Sequence, residues 1–123
     1  MTIIESINYI DQIKPNGYTQ TDKVRWLSRL DGRIKAEIID RHEGAEEVSF
    51  SGYTDDTPLD TAMLVPSPYD EVYTLWLEAQ IDYANGDTVR YNNSIDTFNY
   101  AYEAYARFYN RSHMPTGKQM KFF

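Results

Sequence analysis

Glu71, Glu78 and Asp82 recur at steps of seven and four, a spacing that on a helix brings three carboxylates to one side. General acid or base chemistry needs such a grouping. Like charges at that spacing equally describe an ordinary solvated face, and that is the reading adopted. The two histidines, His42 and His113, lie far apart in sequence, in neither a HExxH spacing nor beside a nucleophile. Asp55, Asp56 and Asp60 lack the alternating ligands and central glycine of a calcium loop. No GxGxxG or GxxxxGK stretch is present to cradle a phosphate. The absence of cysteine removes thiol nucleophiles, thiolate metal sites and disulfides together. The sequence therefore names no catalytic residue, no cofactor-binding residue and no metal ligand, and the expectation is a protein that is not an enzyme.

Charge is distributed along the chain with more pattern. The whole carries a net charge of -7, and between His42 and Val89 eleven Asp or Glu occur with no Lys or Arg. After Glu103 the sign inverts, and Arg107, Arg111, Lys118 and Lys121 follow with no acid among them. An acidic surplus of this size disfavours nucleic acid as a tightly held ligand. No run approaches the ~18 apolar residues of a membrane span, and the start MTIIESINYID has acids where a signal peptide needs a basic and then an apolar run, so a cytoplasmic protein without a membrane partner is expected. Eleven tyrosines favour assembly, since Tyr buries area while keeping one polar end.

The elements that would position these groups are helical. Thr2 and Glu5 have capping-box spacing, and Ile3, Ile7 and Ile10 follow at helical period, which predicts a first helix over residues 3 to 13. A second is expected from 22 to 42, opening at Thr21, carrying Val24, Leu27, Leu30, Ile34 and Ile38 on one face and stopping at Gly44. Residues 43 to 66 read as an irregular loop with at most a short β-hairpin, long enough to be a contact surface. Ser67-Pro68-x-Asp70 has the residues of a helix start, predicting a third helix over 68 to 85 that ends at Asn85-Gly86. Asp87 then opens a fourth over 88 to 110. Along that last helix Tyr91, Ile95, Phe98, Tyr102, Tyr105 and Tyr109 alternate by four and three, one aromatic stripe read as part core and part subunit surface. Tyr100, Ala104 and Phe108 lie off the stripe, more than so small a bundle can cover alone, which also points to self-association. The expected fold is all-α, a small bundle of about four helices in a domain over 1 to 111, followed by an extended C-terminal arm over 112 to 123.

From Leu64-Val65-Pro66-Ser67-Pro68-Tyr69-Asp70 through Glu78-Ala79-Gln80-Ile81-Asp82-Tyr83, Gly86 and Tyr91-Asn92-Asn93-Ser94 to Tyr109-Asn110-Arg111-Ser112-His113-Met114-Pro115, the sequence resembles head-tail connector, or adaptor, proteins of tailed bacteriophages and prophages of Gram-positive bacteria. The resemblance covers about residues 64 to 115. It implies a small helical virion protein that forms a ring, usually dodecameric, beneath the portal protein. Such a ring sits in the virion neck, extends the DNA channel without binding DNA specifically, and receives the next neck or tail component. Subunit or partner contacts are then expected at Tyr91, Tyr102, Tyr105, Tyr109, Lys118, Lys121, Phe122 and Phe123, and an acidic channel or loop surface at Glu46, Glu47, Asp55, Asp56 and Asp60. Two alternatives are another neck or minor tail protein, and a free-standing helical module that binds one protein partner through its acidic loop.

Overall fold

A computed structural model describes residues 1–115, so Lys118, Lys121, Phe122 and Phe123 lie outside the described residues. Four α-helices follow in order: α1 Ile3–Ile13, α2 Gln20–Glu37, α3 Glu71–Ala84 and α4 Thr88–Ser112, with 3-10 turns at Ile39–Arg41 and Ala45–Glu47. The all-α bundle is as the periodicities imply. Helix α3 lies at its centre, packed against α1, α2 and most extensively α4. Its buried residues, among them Val72, Tyr73, Trp76, Leu77, Ala79 and Ile81, surround most of its circumference, as a helix enclosed by neighbours requires. Ile3, Ile7 and Ile10 of α1 and Leu27, Leu30 and Ile34 of α2 close the core from either side. Each such side chain contributes roughly 1.5–3 kcal/mol on burial.

The helix ends show which local signals dominate. Thr2 and Glu5 form the expected capping box. Helix α2 starts two residues before its expected position, because Thr19, and not Thr21, stands three residues before Asp22 and can exchange bonds with it in a second capping box. It also ends at Glu37, where the chain tightens into a 3-10 turn that lets the adjacent Ile38 and Ile39 both reach the core. Gly44, with φ +87°, begins the next turn and does not end the helix. Helix α3 starts three residues later than Ser67-Pro68 suggests. The Ser67-Pro68 peptide is cis and belongs to a turn in which the Tyr69 N–H donates to the Pro66 carbonyl at 3.0 Å. At the α3–α4 corner the reading holds: Gly86 takes φ +73°, its N–H and that of Asp87 reach the carbonyls of Tyr83 and Asp82, and Asp87 caps α4 through the Arg90 N–H.

No β-hairpin forms in the long segment, and no strand occurs among the described residues. Within itself the segment makes only short turns, such as that in which the Thr57 N–H donates to the Thr54 carbonyl at 3.0 Å, and its longer-range bonds include those to α1. The Ile3 and Ile4 N–H groups, which a helix start leaves without helical acceptors, donate to the carbonyls of Thr61 and Leu59 at 3.1 and 2.9 Å. Helix α4 runs to Ser112, and the following residues return to the domain: the Glu43 N–H donates to the Met114 carbonyl at 2.8 Å, and the His113 ring stacks on Tyr109 with centroids 3.8 Å apart. The arm expected from residue 112 is thus fastened to the bundle as far as Pro115, which bridges to His42.

Candidate functional site

The acidic segment is held by a residue that composition does not single out. Asp31 lies fully buried on the apolar stripe of α2, where its carboxylate accepts from the Tyr73 hydroxyl at 2.6 Å, the Tyr53 hydroxyl at 2.5 Å and the Leu64 N–H at 3.1 Å. The Tyr73 oxygen in turn accepts from the Val65 N–H at 2.7 Å. The middle of the segment, its C-terminal end and the central helix therefore meet on one carboxyl. Burial pushes the Asp31 carboxyl above the usual carboxylate range, and its three donors pull it part of the way back. Burial and the neighbouring carboxylate push the Tyr53 and Tyr73 hydroxyls far upward, so both stay protonated donors.

From this anchor the segment displays its acids. Glu46 and Glu47 sit in the second 3-10 turn, Asp55 and Asp56 in the turn beside Thr21 and Arg25, and Asp60 next to the start of α1. All five are exposed, and none makes an ion pair among the described residues. They occupy three stations along the segment and do not form a single cluster.

The aromatic stripe divides differently from its even sequence pattern. Tyr105 and Tyr109 are buried in the chain's own core, so their rings present little area to another subunit. Tyr91 is half-buried, edge-on to Tyr83 at 5.3 Å. Tyr102 donates to the Glu37 carboxylate at 2.6 Å while the Arg33 guanidinium lies 4.6 Å over its ring, tying α4 to α2. The Tyr102 hydroxyl and Arg33 together hold the Glu37 carboxyl below its ordinary value. Of the side chains off the stripe, Phe108 stacks on Tyr69 at 4.8 Å, whereas Tyr100 remains exposed.

The acids of α3 first considered for chemistry differ in their surroundings. Glu71 is exposed, but Asp82 is buried, paired with Lys14 at 2.7 Å and accepting from Ser94 at 2.7 Å, so the expected solvated face holds only in part. Their shared helix face did not show that a lysine from α1's C-terminal end would cover one of them. His42 and His113 do come together, with ring centroids 6.4 Å apart. Both nitrogens of the buried His42 are engaged, Nδ1 with the Ile38 carbonyl and Nε2 with the Asn110 side-chain oxygen, each at 2.7 Å. Among the described residues no group of acids and histidines could hold a metal ion, and no helix is long and apolar enough to cross a membrane. Comparison with family models, curated proteins and solved structures finds no match in any of the three. The arrangement is a helical scaffold that displays exposed carboxylates.

Proposed function

We propose that the chain is a structural virion protein of the head-tail connector kind, a non-enzymatic ring subunit made in the host cytoplasm and placed in the virion neck. In this role it docks on the portal protein, receives the next neck or tail component, and lengthens a channel through which DNA passes without specific binding. The observation that carries the reading is the set of exposed carboxylates at Glu46, Glu47, Asp55, Asp56 and Asp60, unpaired among the described residues, on a segment secured to Asp31. A fixed acidic surface repels phosphate and lets a duplex slide, whereas a cationic one would hold it through counterion release. The resemblance over residues 64 to 115 supports the same role.

A second reading, a free-standing helical module that binds one protein partner, is favoured by Tyr105 and Tyr109 lying inside the chain's own core. Mass measurement and negative-stain imaging of the chain with and without a portal protein separate the two. Rings or portal-bound particles are expected. A particle of one or two chains under both conditions would leave the module reading in place.

A further inference from the structure

Helix α4 has a second seam on the side away from the core. From Val89 to Asn110 its positions advance by four and three in alternation, as the buried stripe does, but every one of them is exposed. The chemistry along it is symmetric about the midpoint between Ala101 and Tyr102. Asp96 and Arg107 are equidistant from that point and opposite in charge. Tyr100 and Glu103 flank it, a hydroxyl donor and a carboxylate acceptor. Val89 and Tyr100 are 72% and 76% exposed. The remaining pair is Asn93 and Asn110, of which Asn110 is turned to His42. Asp96, Glu103 and Arg107 make no ion pair among the described residues.

We propose that two copies of this chain pair through these outer faces of α4, antiparallel, about a two-fold axis at that midpoint. Antiparallel pairing sets Asp96 against Arg107 of the second copy twice over and Tyr100 against its Glu103. Parallel pairing would instead set Asp96 on Asp96 and Arg107 on Arg107, so the charges select the direction. Such a contact is isologous: the same patch on both copies, complementary to itself. It accounts for two large apolar side chains, Val89 and Tyr100, left in water on one side of a helix of 25 residues. A two-fold contact is not the head-to-tail contact between neighbours of a ring, so the pairing neither rests on the connector reading nor fails with it.

Light scattering and sedimentation on the purified chain should show the mass rising from one chain towards two with concentration. Asp96→Arg and Arg107→Asp should each weaken the pair about tenfold, because each sets like charges together at both symmetric positions. The double variant, with both charges exchanged, should recover it. The chain has no cysteine, so a spin label on Glu103→Cys or on Val89→Cys is unique. Labels at 103 should lie close together across the pair, and those at 89 should be separated by roughly 37 Å, the rise over 25 helical residues. A single chain at every concentration overturns the proposal. So does an oligomer insensitive to the single charge reversals, a double variant that stays apart while circular dichroism shows it folded, or short distances at both labels.

Discussion

Asp31 is surrounded on the α2 stripe by Leu27, Leu30, Ile34 and Ile38, and it is there because three donors from elsewhere in the chain need one acceptor. Replacing it by alanine leaves the hydroxyls of Tyr53 and Tyr73 and the Leu64 N–H without that acceptor. An unmet buried donor costs ~1–3 kcal/mol, so Asp31→Ala should lose at least about 3 kcal/mol in urea unfolding. Asp31→Asn keeps the volume and one oxygen, and a loss of about 1–2 kcal/mol is expected. The two carboxyl states add a pH signature. Because burial raises the folded value, the folded chain holds this proton more tightly than the unfolded chain does. The resulting stabilisation is complete below the unfolded value near about 3.9 and is lost as pH rises through the raised folded value. Asn does not titrate, so the margin of wild type over Asp31→Asn should be largest in acid and shrink as pH rises; a margin that grows with pH would contradict the assignment. One signal for this hub was present in the sequence, an acid at the fourth residue after Leu27 and the third before Ile34. Its partners were not legible there, since Leu64 and Tyr73 are 33 and 42 residues away.

The helices were legible wherever a local motif completes itself. Thr2 with Glu5, and Asn85-Gly86-Asp87 between α3 and α4, contain all the groups their caps use, and both form as read. Thr21 and Ser67-Pro68 misled because each carries a favourable residue type without the complete motif: Thr21 has no acid three residues on, and Ser67-Pro68 lies in a turn that precedes α3. The long segment was legible as irregular but not in its path, because its internal bonds close only short turns and the bonds that place it run to α1 and Asp31. Of the candidate surface, the exposure of the five acids followed from composition, whereas the burial of Tyr105 and Tyr109 depended on which side of α4 meets α3 and α2. The α3–α4 corner offers a direct test of the local account. Gly86 has open space around it, so a substitution there meets only the backbone penalty of φ +73°. Gly86→Ala should lower stability by ~1–2 kcal/mol, and Gly86→Asn, a residue that tolerates this conformation, by less. Thermal melts followed by circular dichroism check the order, and equal losses would place the strain elsewhere.

At the scale of the whole molecule, the acids matter as a field more than as individual contacts. With a net charge of -7 and eleven acids in the cation-free stretch, an approaching duplex meets repulsion before any contact forms. The chain alone should therefore give no complex with duplex DNA in a mobility-shift assay, even at low salt, where screening is weakest. Many proteins ignore DNA, and a gain of binding is the sharper measurement. Changing Glu46, Glu47, Asp55, Asp56 and Asp60 together to Lys moves the net charge from -7 to +3. All five are exposed and outside the Asp31 hub and the helix caps, so the fold should persist. If these positions form the surface that DNA would meet, the variant should bind duplex at low salt. Its affinity should then fall steeply with added salt, with a log-log slope of about -0.9 for each phosphate neutralised. Salt-sensitive binding by the wild-type chain would refute the repulsion argument. A lysine variant that folds but still ignores DNA would show that the five stations face away from any path a duplex could take, and the acidic segment would then be a surface for protein.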